Sequence, residues 1–127
     1  MTNSIQASSV VEGESLTVRA KMQDQDTLEA LVQADIDEIY LQVFDLGTGE
    51  RCFQGTLEIG EHFSNTPLTT GWDGLGWYNF FDSQPTDYWQ IAPQGGHTYR
   101  LQYEFRLMDA RLIRRSIVLP VEEWQDG

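Results

Sequence analysis

The stretch that decides the fold is Thr98–Leu107, which reads TYRLQYEFRL. Its residues alternate strictly between apolar and polar side chains, and this period of two indicates a β-strand with one buried face. A tight turn over residues 108–111 leads into a second strand over 112–121. We therefore predict an antiparallel pair near the C-terminus, whose core row is Tyr99, Leu101, Tyr103, Phe105 and Leu107.

The same alternation recurs along the rest of the chain. Residues 15–23 and 39–45 predict strands, and a glycine-containing hairpin over 45–50 returns the chain into a partner strand over 51–59. Gly55 inside that partner indicates a bulge or a close contact. Residues 77–81 predict a further strand, 60–76 are turn-rich, and one helical turn capped by Thr27 is expected in the acidic loop, residues 24–37. About seven short strands predict an all-β sandwich with almost no helix.

Chain length and net charge limit the functions that are open to this protein. The 127 residues suit one domain over 10–124, between a mobile or partner-held tail at 1–9 and a short end at 125–127. The net charge of -12 repels phosphate and disfavours nucleic-acid partners. No apolar run reaches the ~20 residues of a membrane span, and the N-terminus lacks the pattern of a secretory signal. We expect a soluble, unprocessed protein with no membrane partner.

Residues that carry chemistry are few. His62 and His97 lack partners at metal-like spacing, and Cys52, in a predicted strand, fits a small buried hydrophobe. The acidic loop lacks the glycine and terminal glutamate of a helix–loop–helix calcium site, which favours a solvated loop. We rank a small hydrolase with a pair of catalytic carboxylates third, after the two binding functions given below. We therefore expect no enzyme activity, no catalytic residue, no metal and no cofactor.

The aromatic segment between Trp72 and Trp89 is the most unusual feature. Seven of the chain's 15 aromatic residues lie there: Trp72, Trp77, Tyr78, Phe80, Phe81, Tyr88 and Trp89. Neighbouring strand residues point to opposite faces, so these side chains do not all face one core. The remainder contact a loop, a partner or a ligand. We take Trp72, Trp77, Phe80, Phe81 and Trp89 as candidates for a protein interface, and a sugar-stacking platform as the alternative.

Arg114 and Arg115 are the second candidate for an interface. Arg115 falls in the apolar row of its strand, so it either lies at an exposed end or pairs with an acid from a neighbouring subunit. Seven of the 8 basic residues are arginine, which is the better residue for planar contacts at interfaces.

Two segments together resemble a known family. The first runs through residues 13–21, 33–36 and 39–45, and contains Gly13-Glu14 before Thr17-Val18-Arg19-Ala20; the second is GGHTYRLQYEF at 95–105. They resemble the small immunoglobulin-like domains of tailed-phage and prophage structural genes, such as the baseplate upper-protein type. Tyr99, just after a glycine-rich turn, resembles the tyrosine corner of sandwich domains, and Tyr103 is assigned a structural role beside it.

The resemblance, which covers roughly residues 13–123, implies an immunoglobulin-like β-sandwich and a role in a virion. It implies a non-enzymatic structural protein of the head, neck, tail or baseplate, made in the host cytoplasm. Its partners would be other virion proteins and further copies of itself in a ring or lattice. The alternative is a carbohydrate-binding module that uses its exposed aromatic side chains.

Overall fold

The computed structural model, which describes residues 5–7, 10–72, 76–84 and 94–124, is almost entirely β-structure arranged in two sheets. The predicted all-β class is therefore confirmed. The strands, in chain order, are β1 (Ile5–Ala7), β2 (Val10–Val11), β3 (Leu16–Ala20), β4 (Ile36–Asp45), β5 (Arg51–Leu57), β6 (Phe63–Leu68), β7 (Tyr78–Gln84), β8 (Thr98–Leu107) and β9 (Leu112–Glu122). Helical structure in these ranges is limited to a 3-10 turn at Gln33–Asp35 and one α-helical turn, α1, at Ile59–His62.

One sheet has four strands in the order β1-β3-β7-β6, and the other has five in the order β2-β9-β8-β4-β5. Neighbouring strands are antiparallel, except that β2 runs parallel to the end of β9. The chain thus crosses from one sheet to the other between β1 and β2. The two longest strand pairings, β4 with β8 and β8 with β9, both lie in the five-stranded sheet, which is therefore the more extensively paired of the two.

The core lies between the inner faces of the two sheets. Tyr99, Leu101, Tyr103, Phe105 and Leu107 are all buried, as the alternation in β8 predicts. The inner rows of β3 and β4 complete the core with branched aliphatic side chains. Because successive strand residues point to opposite faces, the same alternation leaves the even-numbered residues of β8 on the outer surface.

Part of the predicted N-terminal tail belongs to the four-stranded sheet. The sequence places it at residues 1–9, but Ile5–Ala7 pairs antiparallel with β3, and the Ile5 side chain is buried. One apolar residue in a polar stretch is a weak local signal, yet it fills a site at the edge of the core. The short end at 125–127 lies outside the described residues.

The acidic loop and β5 also differ from prediction. Asp24 Oδ1 accepts hydrogen bonds from the N–H groups of Asp26 and Thr27, and Leu28 has φ 62°, which a right-handed helix cannot contain. The expected helical turn at Thr27 is therefore wrong. In β5 the bulge lies at Cys52, where the register with β4 shifts, whereas at Gly55 an added Cβ would lie 3.2 Å from the ring of Phe53.

Candidate functional site

Phe80, an interface candidate, lies instead in the core. Its side chain is fully buried, and its ring meets the rings of Tyr103 and Phe105 edge-on, with centroids 5.1 and 5.0 Å apart. Because β7 and β8 belong to different sheets, Phe80 joins the two layers. Assigning it to a surface was wrong, since alternation along β7 turns it inward opposite Ala20.

The other described aromatics of this segment lie on β7 of the four-stranded sheet or in the connection before it. Trp72 lies against the buried Tyr78, with centroids 5.5 Å apart, and the guanidinium of Arg19 sits 5.5 Å from the same tyrosine ring. The Lys21 ammonium is 5.0 Å from the centre of the Trp77 ring. Trp72, Trp77 and Phe81 are each half-buried, while Trp89 and Tyr88 lie outside the described residues. Two of these rings, those of Tyr78 and Trp77, are therefore each approached by one cation.

A buried carboxylate that sequence reasoning missed lies on β7. Asp82 is inaccessible to solvent; its Oδ2 accepts a hydrogen bond of 2.8 Å from the Tyr103 hydroxyl, and its Oδ1 accepts one from the Gln84 side chain. The ring of His62 approaches within 3.6 Å and donates through Nδ1 to the Phe81 carbonyl. Burial and the adjacent carboxylate raise the pKa of Tyr103 well above its usual range, so this hydroxyl remains a donor.

Asn79 is the second buried polar side chain, and it fastens the loop that follows β3. Its Oδ1 accepts from the Met22 N–H at 2.9 Å, and its Nδ2 donates to the carbonyls of Met22 and Leu31. All three polar contacts of this amide are therefore made to backbone. The polar atoms of Asn79 and Asp82 form hydrogen bonds with other groups of the protein. Both side chains therefore have a structural role in the interior.

At the opposite end of the sandwich, Tyr99 and His97 hold the glycine turn before β8. The buried Tyr99 hydroxyl accepts a hydrogen bond from the Gln94 N–H, five residues upstream. His97 Nδ1 lies 2.7 Å from Asp45 Oδ2, and this hydrogen bond lowers the pKa of Asp45. Burial raises the pKa of the Cys52 thiol, which disfavours the nucleophilic thiolate.

The acidic loop is tied to the β8–β9 turn by an ion-pair cluster. Arg111 contacts Asp24 and Asp109 at 2.7 Å each and approaches Asp26 at 3.6 Å. The hydrogen bond from Arg111 is the largest cause of the lowered pKa of Asp24. No group of three or more potential metal ligands occurs within the described ranges, which agrees with the use of these carboxylates for the arginine.

The outer face of the five-stranded sheet carries an unusual share of the positive charge. Four exposed arginines, half of the chain's 8 basic residues, project from this side: Arg51, Arg100, Arg106 and Arg114. We call this surface the arginine face. Arg51 Nη1 donates to Gln42 Oε1 at 3.3 Å, and Arg114 Nε donates to Glu104 Oε2 at 3.0 Å.

A polar groove of about 400 Å³ crosses the arginine face. The register aligns Gln42 of β4, Gln102 of β8 and Ser116 of β9 in one row across three strands, and this row lines the groove. Amide and hydroxyl groups there both donate and accept hydrogen bonds, while the flanking arginines only donate. The surface therefore suits a partner that offers carboxylates and backbone carbonyls.

The sequence-predicted interface residues fall into separate places. Trp72, Trp77 and Phe81 belong to the four-stranded sheet and its connections, whereas Arg114 and Arg115 lie on β9 of the other sheet. Arg114 points outward on the arginine face. Arg115 points to the inner side, opposite Tyr103, and is only half-exposed. The arrangement does not bring the two groups together on one surface.

Comparisons of this chain with protein-family models, with curated proteins and with solved structures found no match. Among the described residues, no helix has the length and apolar character required to cross a membrane.

Proposed function

We propose that this chain is a non-enzymatic, immunoglobulin-like domain that binds another protein through its arginine face, as a structural component of a tailed-phage particle. The observation that carries the proposal is charge segregation. Four arginines share the outer face of the sheet with three glutamates, Glu38, Glu104 and Glu122, in a chain whose net charge is -12. A positive face on an acidic domain favours one orientation toward an acidic partner surface.

The strand order supports the immunoglobulin-like assignment. When the strands are lettered in chain order as A, A′, B, C, C′, D, E, F and G, the sheets read A-B-E-D and A′-G-F-C-C′. Immunoglobulin domains place A, B, E and D in one sheet and C, F and G in the other. The Tyr99 hydroxyl contact lies at the start of the F strand, where such domains carry their corner tyrosine.

The setting in a virion is supported by the resemblance of residues 13–21, 33–36, 39–45 and 95–105 to phage structural domains. The partner is accordingly an acidic surface of a neighbouring virion protein. The carbohydrate-binding alternative has less support, because Tyr78 and Lys21 cover parts of the Trp72 and Trp77 rings that a sugar would stack on.

Incorporation into particles tests the proposal. The double variant Arg51→Gln/Arg100→Gln and the control Gln25→Glu/Gln94→Glu each make the chain two charges more negative, but only the first changes the arginine face. We expect the first variant to fold normally and to lose about tenfold in occupancy of purified particles, measured by mass spectrometry. The control should enter at the wild-type level.

Two results contradict the proposal. If the chain is missing from particles of the phage or prophage that encodes it, the virion role is wrong. If the arginine variant enters particles as well as the control does, the arginine face is not the contact. A glycan array run with the same proteins examines the alternative, since a sugar-binding module would show a reproducible ligand there.

A further inference from the structure

Within the described ranges, no strand pairs with most of the outer edge of β9. β2 pairs only with Val121 and Glu122, and β1 approaches β9 without pairing with it, so the strand from Leu112 to Pro120 is paired with β8 on one side alone. A free strand edge presents unpaired N–H and C=O groups, which are a template for another strand. This edge is distinct from the arginine face, which is the surface of the sheet.

The register shows which backbone groups the open edge offers. Val121 donates to the His97 carbonyl and accepts from the Gly96 N–H, so its polar groups point toward β8. The pairing of β8 with β9 has no register shift, and alternate residues of an antiparallel strand point their polar groups to opposite sides. The N–H groups of Arg114, Ser116 and Val118 therefore point toward the open edge.

The side chain of Arg115 occupies part of this edge. This side chain projects inward from an edge strand and is half-buried, and its Nη1 donates to the Arg114 carbonyl at 2.9 Å, which occupies one acceptor of the edge. No carboxylate of the described chain pairs with it within 4 Å. Partial burial lowers the pKa of Arg115, the direction expected for a cation that lacks a counter-ion.

An inward charge at an edge discourages unselective strand pairing. It also discourages a second copy in any register that places the arginines at positions 114 and 115 of the two β9 strands side by side. The same charge favours a strand that carries a carboxylate, since that carboxylate would supply a counter-ion that Arg115 does not find among the described residues. Arg115 therefore disfavours most incoming strands and favours those that carry a carboxylate.

We propose that the edge of β9 accepts an extended, acidic segment of another protein as an additional strand, with a carboxylate of that segment pairing with Arg115. The incoming strand would hydrogen-bond to the N–H groups of Arg114, Ser116 and Val118 and release the Arg114 carbonyl from the guanidinium. This is binding by strand addition, in which backbone bonds give affinity and one charge pair gives selectivity.

The test uses two synthetic peptides of alternating threonine and valine, as long as the open edge, with a central glutamate in one and a central lysine in the other. Titration calorimetry measures binding, and hydrogen exchange locates it. We expect the glutamate peptide to bind wild-type protein about tenfold more tightly and to protect the amides of Arg114, Ser116 and Val118. Arg115→Glu should reverse the preference, and Arg115→Gln, which keeps a polar side chain, should abolish it.

Arg100→Glu makes the same change of charge on the arginine face and should leave the peptide preference unchanged, which separates this proposal from the proposed function. Equal binding of the two peptides, no binding of either, or protection elsewhere than on β9 would overturn the inference. Reversal of the preference by Arg100→Glu as well would also overturn it, since the selectivity would then come from overall charge.

Discussion

Replacing Tyr103 with phenylalanine isolates one hydrogen bond at the centre of the fold. The ring is 1% exposed, and its hydroxyl donates to the fully buried Asp82 at 2.8 Å. The substitution keeps the aromatic packing but leaves a buried carboxylate with one donor fewer. Hydrogen bonds to charged groups contribute roughly 1.5–3 kcal/mol, so we expect the free energy of unfolding to fall by about 2 kcal/mol.

Urea unfolding, followed by tryptophan fluorescence and by circular dichroism, measures this loss. Tyr40→Phe is the matched control, because the Tyr40 hydroxyl donates to Gln54 at the same distance on the exposed surface, where surface changes stay within about 0.5 kcal/mol. If Tyr103→Phe lowers the free energy of unfolding no more than the control does, the buried hydrogen bond does not stabilise the fold. Asp82 would then lack the structural role proposed for it.

Alkaline pH gives a second measurement of the same pair. The pKa of Tyr103 is raised above its ordinary value of 10, so above that pH the unfolded chain releases the phenolic proton while the folded chain keeps it. Stability should therefore fall as pH rises above 10, with a slope of up to ~1.4 kcal/mol per pH unit from this residue. Tyr103→Phe should have a shallower slope; identical slopes in the two proteins would argue against the shift.

Three further predictions concern packing and the acidic loop. Phe80→Ala should cost about 3–5 kcal/mol in urea unfolding, and the half-buried Phe81→Ala clearly less; equal losses would contradict the placement of Phe80. Gly95→Ala should cost about 1–3 kcal/mol because its Cβ would lie 2.7 Å from backbone, whereas Gly60→Ala, with open space around it, should be tolerated. Arg111→Ala should speed hydrogen exchange in the acidic loop at neutral pH, and the difference from wild type should disappear only as pH falls through the pKa of Asp24, which the Arg111 hydrogen bond holds well below its ordinary value of 3.8; equal protection at neutral pH would show the ion pairs to be dispensable.

The local alternation of apolar and polar residues was sufficient to predict the strands that bury one face along their whole length. β8 alternates without interruption, and its predicted bounds are those observed. β6, by contrast, was missed, because FSNTPL has no period of two and contains a proline. It is held by β7 through Phe63 opposite Phe80 and Leu68 opposite Tyr78, with a register shift between them. Its conformation depends on a neighbour rather than on its own sequence.

The candidate surfaces were harder to predict because they depend on which strands adjoin. Arg51 and Arg100 are far apart in sequence, and they share a face only because both pair with Phe44 of β4. Asp82 is a comparable case, since an isolated aspartate suggests solvent, whereas its hydroxyl partner lies on the opposite sheet. The inward direction of Arg115 was visible in the alternation of β9, but its position at an edge required the sheet order.

The parallel pairing of β2 with the end of β9 has a mechanical consequence. The chain runs through β2 and the end of β9 in the same direction, and Val10 and Val11 lie beside Val121 and Glu122, with a further bond from the Glu12 N–H to the Glu122 carbonyl. Tension between the segments before β2 and after β9 would load these hydrogen bonds in shear, all at once, instead of opening them one after another. The domain should therefore resist stretching along the strand direction more than peeling across it.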